Sequence, residues 1–225
     1  MKMMTLRPTI LALAMLAAAM APQVQANTWT ISATGTINSG YDSTGMFGKA
    51  GGNLAGDAFT ESITIDTDAW KPTGGSSTMT DLIGAGPSFT DSVTVNGHTF
   101  TLTTTSATSS SSIYLSDAPS NNFVNANLHG NAADGQATYA EIYAYSKLID
   151  FLPTSNFIED VTEPINSSFS QADSYFSTNG VLGTASFNAD PGMSTLAISA
   201  VPEPAPLALS GAGLAALALL RRRRG

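Results

Sequence analysis

Short runs of residues in which apolar and polar side chains alternate recur through the middle of this 225-residue chain. Because successive side chains of a β-strand point to opposite faces of a sheet, alternation with a period of two predicts half-buried strands. The same region is rich in Thr, Ser, Gly and Asn, and turn signals separate the runs. The pattern therefore predicts an all-β fold: an antiparallel β-sandwich or a jelly-roll-like single domain.

Three runs carry this prediction most clearly. The residues expected to share one face are Trp29, Ile31 and Ala33 in the run 28–37, Phe59, Glu61, Ile63 and Ile65 in the run 58–66, and Ala140, Ile142 and Ala144 in the run 137–145. In the third run the opposite face would hold Tyr139, Glu141, Tyr143 and Tyr145.

Turn signals add further strands. Asn96-Gly97 is the strongest of them, because both residues tolerate a positive φ, and it predicts a hairpin over residues 91–102. The buried face of that hairpin would hold Val93, Val95, Phe100 and Leu102. Residues 112–115 and 122–128 are predicted as short strands. Residues 182–188 and 193–200 are predicted as a last hairpin, closed by Asp190-Pro191-Gly192.

Two segments lack a clear pattern. Residues 103–112 are nearly all Thr, Ser and Ala, which fits either an exposed β edge or a flexible loop. Residues 148–176 show no alternation and are interrupted by Pro153 and Pro164. A long loop with at most one helical turn is therefore expected there.

The first 26 residues have the composition of a secretory signal peptide. Lys2 and Arg7 form a basic start, residues 10–20 are apolar, and Val24-Gln25-Ala26 supplies the small residues that signal peptidase reads. Cleavage is expected after Ala26, which leaves Asn27 as the first residue of the mature protein. The apolar run is too short for a permanent span, so export with signal peptidase as a transient partner is predicted.

Between the hydrophobic ends the chain is strongly acidic. Residues 27–203 hold three lysines and 17 acidic residues, a net charge of −14. Nucleic acids bind basic surfaces, so this charge argues against nucleic acid as a partner. The chain has no cysteine, which excludes disulfides and a cysteine nucleophile.

The last 25 residues have three parts in a fixed order. A stiff Pro202-Glu203-Pro204 comes first, an uncharged apolar run over residues 207–220 follows, and four arginines close the segment: Arg221, Arg222, Arg223 and Arg224. Prolines lack N–H donors and keep the backbone extended and accessible. The apolar run suits a short C-terminal hydrophobic helix in lipid, and the arginines would hold its end in the cytoplasm.

This tail resembles the PEP-CTERM sorting signal of Gram-negative bacteria that produce exopolysaccharide. The resemblance implies that an exosortase in the inner membrane cuts at Pro202-Glu203-Pro204 and releases the protein towards the cell surface or matrix. It implies a division into a signal peptide (1–26), an all-β exported domain (27–200) and a sorting signal (201–225). The alternative is an ordinary single-pass anchor with a proline-rich stalk.

A glycine-rich segment joins the first two predicted strands. Its element Gly40-Tyr-Asp-Ser-Thr-Gly-Met-Phe-Gly48 resembles one that follows the first strand of many PEP-CTERM β-domains. On a structural reading Asp42 caps a turn, Gly45 and Gly48 take positive φ, and Phe47 closes the open end of the sandwich. On a functional reading Ca²⁺ is bound here, with Asp42, Asp57, Asp66 and Asp68 as candidate ligands.

Other chemistry-bearing residues are sparse. His98 and His129 are expected in exposed loops, and two lone histidines are too few for a specific metal site. Glu141 between tyrosines suggests either a sugar-binding platform or a hydrolase, which would need a second carboxylate; Glu159, Asp160 and Glu163 are the ones on the unplaced segment. The sequence predicts a structural or adhesive matrix protein without enzymatic activity or a required cofactor. A carbohydrate-binding module on Tyr139, Tyr143 and Tyr145 is the alternative, and a secreted hydrolase is a third.

Overall fold

In the computed structural model, residues 28–66, 71–76, 79–85, 89–103, 110–131, 137–154, 159–180 and 183–201 are described. They form two antiparallel sheets, so the predicted all-β class is confirmed. The strands are β1 (Thr28–Thr36), β2 (Ser39–Asp42), β3 (Gly52–Asn53), β4 (Ala58–Asp66), β5 (Lys71–Ser76), β6 (Met79–Ala85), β7 (Phe89–Val95), β8 (His98–Thr103), β9 (Ser110–Ala118), β10 (Asn121–Asn131), β11 (Ala137–Ser146), β12 (Val161–Pro164), β13 (Gln171–Gly180), β14 (Gly183–Asn188) and β15 (Met193–Ala200).

The smaller sheet has six strands in the order β12-β15-β1-β4-β7-β8. The alternation that predicted β1 and β4 is confirmed, since Trp29, Ile31 and Ala33 on β1 and Phe59, Glu61, Ile63 and Ile65 on β4 are all buried. β1 and β4 pair without a register shift from Thr28 opposite Asp66 to Thr36 opposite Ala58.

The predicted hairpin of β7 and β8 is also confirmed. Asn96 has φ 54° and Gly97 has φ 78°, the pair of positive values that a tight hairpin turn needs. Three of the four side chains assigned to the buried face are fully buried, and Phe100 packs against the core while partly exposed.

The larger sheet has nine strands in the order β3-β2-β14-β13-β11-β10-β9-β6-β5. Its centre is built from long strands in continuous register: β10 pairs with β9 and β11, and β11 pairs with β13. Ala140, Ile142 and Ala144 of β11 are buried, as the sequence predicts.

Aromatic side chains from both sheets meet in one core. Phe59 of the smaller sheet lies 5.2 Å from Phe187 of the larger one, and Phe100 lies 5.6 Å from Phe176, measured between ring centroids. Phe47 packs edge-on against Phe176 at 5.7 Å. Burying such large rings contributes much of the free energy that stabilises a small domain.

The interpretation of residues 148–176 as a long loop was wrong. The segment contains β12 and the first part of β13, and its described residues form no helical turn. The inward positions of β13 are Ala172, Ser174, Phe176 and Thr178, all buried. Because two of these four are polar, the strand shows no apolar–polar alternation in the sequence although it has a buried face.

The predicted last hairpin was wrong as well. β14 pairs with β13 and β2 of the larger sheet, whereas β15 pairs with β1 and β12 of the smaller one. The Asp190–Gly192 turn therefore connects the two sheets, and Phe187 and Leu196 both face the core. Gly192 is required at this crossing, because a Cβ there would lie 1.8 Å from the carbonyl oxygen of Thr36.

Several strands were not predicted. β5 and β6 extend the larger sheet at one edge, and β2 and β3 form within the glycine-rich segment that was expected to be a loop. Strand β2 pairs with β14, so this segment belongs to the sheet. The alternatives left open for residues 103–112 concern mainly residues 104–109, which lie outside the described part.

Both terminal signals lie outside the described residues, and with them the predicted C-terminal helix. The described residues belong to one compact unit, Asn27–Val201. Within them, no helix has the length and apolar character needed to cross a membrane.

Candidate functional site

The outward face of the larger sheet holds most of the polar and aromatic groups that could bind a ligand. Three neighbouring strands supply them in matched rows: Asn127, Glu141 and Tyr175 lie opposite one another, as do Asn125, Tyr143 and Asp173. We call this surface the tyrosine face; its residues are Asn125, Asn127, His129, Tyr139, Glu141, Tyr143, Tyr145, Asp173 and Tyr175.

A hydrogen-bond network holds the centre of the tyrosine face. The hydroxyl of Tyr139 donates to Oε2 of Glu141 at 2.5 Å and accepts from Nδ2 of Asn127 at 3.0 Å. Nδ2 of Asn125 donates to the other carboxylate oxygen, Oε1, at 3.2 Å. The Glu141 side chain is thus held in place before any ligand arrives, which lowers the entropy lost on binding.

Aromatic rings surround this network. His129 and Tyr175 lie 4.5 Å and 5.3 Å from the Tyr139 ring, centroid to centroid. The ammonium of Lys147 lies 5.8 Å from the centroid of the Tyr145 ring, within cation–π range. Burial and the neighbouring Glu141 carboxylate raise the pKa of Tyr139 well above its ordinary value, so its hydroxyl stays protonated and donates.

Asp173 adds a second carboxylate to the face. Its Oδ2 accepts a hydrogen bond from Nε2 of Gln171 at 2.9 Å. Partial burial raises its pKa, as do the negative charges of Glu141 and Asp190, and the Gln171 hydrogen bond only partly opposes them. The tyrosine face is therefore a negatively charged surface with fixed aromatic rings.

A cleft of about 290 Å³ opens near the start of β13. Its apolar wall is formed by Ile165, Phe169, Ala172 and Met193, and its polar groups come from Asn166, Ser170, Gln171 and Asp190. Gln171 and Asp190 both act on Asp173, one through a hydrogen bond and one through its charge. The cleft therefore lies beside the tyrosine face.

The turn predicted for the glycine-rich element is confirmed. Asp42 accepts hydrogen bonds at Oδ1 from Thr44 N, Thr44 Oγ1 and Gly45 N at 2.7–2.9 Å and at Oδ2 from Phe47 N at 2.7 Å. Gly45 and Gly48 have φ of 80° and 135°, and Phe47 is buried. Burial acts to raise the pKa of Asp42, but these hydrogen bonds lower it below its ordinary value.

The four candidate Ca²⁺ ligands are engaged in other ways or lie outside the described residues. Asp42 is saturated by its own turn, and Oδ2 of Asp57 accepts from Nδ2 of Asn96 at 2.6 Å. Asp66 ends β4 and Asp68 is outside the described part. In the residues that the structure describes, no group of three His, Cys, Asp or Glu side chains is arranged to hold a metal ion.

The remaining candidates are dispersed. His98 and His129 are exposed, as predicted, but they lie in β8 and β10 and not in loops. Oδ1 of Asp160 accepts a hydrogen bond from the backbone N–H of Ala200 at 2.8 Å, which places it at the end of β15. Glu163 lies on β12 opposite Leu196, in the smaller sheet, whereas Glu141 belongs to the larger one.

The alternation groups Glu61 with the apolar residues of its run, but its meeting with Asp91 in the core was not predicted. Glu61 on β4 and Asp91 on β7 are both fully buried, on neighbouring strands. Ser174 of the larger sheet donates a hydrogen bond to Oε2 of Glu61, whereas Oε1 of Glu61 and both oxygens of Asp91 have no partner. Burial and the charge of Asp91 raise the pKa of Glu61 well above its ordinary value, and burial raises that of Asp91 to about 7.

The last strand leads directly to the C-terminal segment. β15 ends at Ala200, Leu196 and Ile198 are buried, and the N–H of Val201 makes one further hydrogen bond, to the carbonyl of Thr28 at 2.9 Å. The next residue in the chain, Pro202, has no N–H and cannot donate to a ladder.

Comparison with known families identifies this C-terminal segment. Residues 200–224 match the family model of the PEP-CTERM protein-sorting motif. The chain is therefore an exosortase-targeted extracellular protein, and the motif acts as an export and C-terminal membrane-anchor signal with exosortase as processing partner. No curated protein and no solved structure matches the chain.

Proposed function

We propose that the protein is a non-enzymatic structural and adhesive component of an exopolysaccharide matrix and that its tyrosine face contacts the polysaccharide. The observation that carries the proposal is the fixed Tyr139–Glu141 hydrogen bond, flanked by Asn127 and surrounded by partly exposed aromatic rings. Sugars are bound by the combination found here: rings that stack on C–H surfaces, with carboxylate and amide groups for the hydroxyls.

The fold supports a surface role. We infer a β-sandwich, because the aromatic contacts between the sheets join their inner faces in one core and leave both outer faces free for partners. The charge of the domain favours solubility and mutual repulsion, which suits a protein spread through a hydrated matrix. The cleft beside Asp173 has room for about one sugar unit at the end of a chain lying on the tyrosine face.

A Gram-negative route completes the proposal. Signal peptidase would remove residues 1–26, and the apolar run and the arginines would hold the protein transiently in the inner membrane until exosortase cuts. Intact-mass measurement of the protein recovered from its host tests this route. A product that starts at Asn27 and ends near Pro202–Pro204 is expected, and Arg221–Gly225 still attached to surface-located protein would favour a plain anchor.

Binding to the host's own exopolysaccharide tests the tyrosine face. Sedimentation of the released protein with purified polysaccharide is expected for the wild type and expected to fall at least about tenfold for Tyr143→Ala, which removes a ring of the face. Ser186→Ala, on an outward position of β14, is the matched control. Equal binding by Tyr143→Ala would contradict the proposed platform.

A carbohydrate-hydrolysing enzyme is the second candidate, favoured by two carboxylates, Glu141 and Asp173, on one face. Both oxygens of Glu141 already accept hydrogen bonds, which favours a binding role over catalysis. A screen for released sugars with wild type and Glu141→Gln decides between them. Hydrolysis that disappears in Glu141→Gln would replace the binding proposal by the enzymatic one.

A further inference from the structure

The outward face of the smaller sheet has a different and more regular composition. On β1, β4, β7 and β8 every outward position in three successive cross-strand rows is a threonine or serine. The rows are Thr34, Thr60, Thr94 and Thr99; Ser32, Ser62, Ser92 and Thr101; and Thr30, Thr64, Thr90 and Thr103. We call these twelve residues the threonine face. β15 continues the rows with Thr195, Ala197 and Ser199.

The rows form a two-dimensional array. Neighbouring strands lie about 4.8 Å apart and alternate residues of one strand about 6.8 Å apart. The pairings of β1 with β4, β4 with β7 and β7 with β8 have no register shift, so the array is uninterrupted over four strands. Hydroxyl contacts between strands add order: Thr94 to Thr99 at 2.8 Å, Thr30 to Thr64 at 3.1 Å, and Ser92 to Thr101 at 3.4 Å.

Strand propensity does not account for this composition. Threonine is favoured in strands, but an exposed sheet face and an edge strand such as β8 ordinarily also carry lysine or glutamate, which oppose aggregation. The threonine face has no charged residue at any of its twelve positions, in a segment whose net charge is −14. It has no aromatic ring on which a sugar could stack.

We propose that the threonine face binds ice. An ice surface is an uncharged lattice of hydrogen-bonding groups that repeats in two dimensions at spacings comparable with those of the array. Hydroxyl groups at fixed intervals hold the first layer of water in order, and the threonine methyl groups between them limit competing water positions. Each contact is weak, so an uninterrupted array is needed, and one charged side chain at its centre would hold its own hydration shell and disrupt the ordered layer. Release of the protein to the cell exterior brings this face to the place where ice forms.

The centre of the array is the sharpest place to test the proposal. Sheets twist by about 20° per strand, so the middle strands β4 and β7 define the part that lies against one ice plane. Ser62 lies there, between Ser32 and Ser92. The experiment measures incorporation of the processed protein into slowly growing ice, together with ice recrystallisation, for wild type and Ser62→Lys.

Wild type is expected to concentrate in the ice and to slow recrystallisation. Ser62→Lys is expected to reduce both its incorporation into ice and its inhibition of recrystallisation at least about tenfold. Ser186→Lys, the same change on an outward position of the larger sheet, is expected to retain it, as is Ser62→Thr. Thr101→Lys, on the exposed edge strand β8, repeats the test where a long side chain reaches solvent freely. Urea unfolding of each variant checks the fold.

Three results would overturn the proposal. The first is a wild type that is excluded from ice like an ordinary protein. The second is Ser62→Lys lowering binding to an insoluble polysaccharide while ice activity is absent, which would assign the face to a glycan. The third is Ser62→Lys changing the solution mass of the protein, which would assign the face to a second copy of the chain. Tyr143→Ala affects only the tyrosine face, so failure of one proposal leaves the other standing.

Discussion

Two pairs of carboxylates lie on opposite sides of their sheets. In β11 and β13 of the larger sheet Glu141 and Asp173 point outward, where amide and hydroxyl donors hold them. In β4 and β7 of the smaller sheet Glu61 and Asp91 point inward, and the twelve outward residues of the threonine face carry no charge. Carboxylates are thus exposed to possible ligands on the larger sheet and buried with few hydrogen-bond partners beneath the smaller one.

The largest expected effect concerns the buried acids. Both have pKa values raised in the folded state, so the folded protein holds protons that the unfolded chain releases. Stability from this source is present below the unfolded pKa, near 4, and is lost as pH rises through about 7. The free energy of unfolding should therefore fall by on the order of 3 kcal/mol between pH 4 and pH 8, measured by urea denaturation.

Neutral variants separate this effect from the repulsion among surface charges. Asp91→Asn keeps the shape of the side chain without its ionisation, and it should flatten the pH dependence. Asp150→Asn, at an exposed position, makes the same change of charge and should leave the slope nearly unchanged. Stability that rises with pH in the wild type would contradict the assignment of a protonated pair.

Asp42, in the larger sheet, has a lowered pKa, in contrast to the raised pKa values of Glu61 and Asp91. Replacing it by Asn puts an amide donor where the carboxylate accepts backbone N–H groups, and this should destabilise the fold by about 1–3 kcal/mol. Since its pKa is lowered, its contribution is present above the unfolded value of 3.8 and is lost as pH falls through the folded pKa. The difference between wild type and Asp42→Asn should accordingly shrink in acid, whereas a constant difference would show that the charge is unimportant.

Tyr139→Phe should have a smaller effect on stability. It removes one hydroxyl that donates to Glu141 and accepts from Asn127, on a partly exposed face, at a cost of about 1 kcal/mol. Polysaccharide binding should fall much more than stability, because Glu141 would lose its fixed position. Equal and small effects on both would indicate that the network is only structural.

Calcium is expected to have the smallest effect on stability. The acidic composition still predicts weak binding, and a ligand of the native state raises the melting temperature with its concentration. A rise of about 1–3 °C between chelator and millimolar Ca²⁺ is expected for a weak site, with Asp57→Asn reducing it. An unchanged melting temperature would show that Ca²⁺ does not bind the folded domain at millimolar concentration.

Alternation allowed the central strands to be predicted, and polar residues on buried faces explain where it failed. β4 could be predicted to the residue because three of its four inward side chains are large and apolar. β13 could not, because Ser174 and Thr178 occupy inward positions. The pairing of β14 and β15 with different sheets depends on distant partners, and a turn sequence such as Asp190-Pro191-Gly192 does not contain that information.

The candidate surfaces were predictable to different degrees. The outward placement of Tyr139, Glu141 and Tyr143 follows from one strand and could be predicted. Their network with Asn125 and Asn127 requires the register of β10 against β11, which no local pattern provides. The threonine face is visible in the sequence only as separate strands, Thr-x-Ser-x-Thr in β1, β4 and β7 and Thr-x-Thr-x-Thr in β8, and it becomes an array when the registers align them. The acid pair was missed because Asp91 begins a predicted hairpin, where a polar residue is ordinary.

The hydrogen bond between Val201 and Thr28 has a mechanical consequence. The two ends of the described chain leave the smaller sheet together, on adjacent antiparallel strands. A load that pulls the two ends apart would separate β1 from β15 one hydrogen bond at a time, at low force. A second kind of load pulls on the C-terminal end while the tyrosine face is held. It would have to slide β15 past both β1 and β12, which breaks many backbone hydrogen bonds at the same time. The pairing of β15 with both β1 and β12 therefore predicts higher resistance to a pull on the C-terminal end than to a pull that draws the two ends apart.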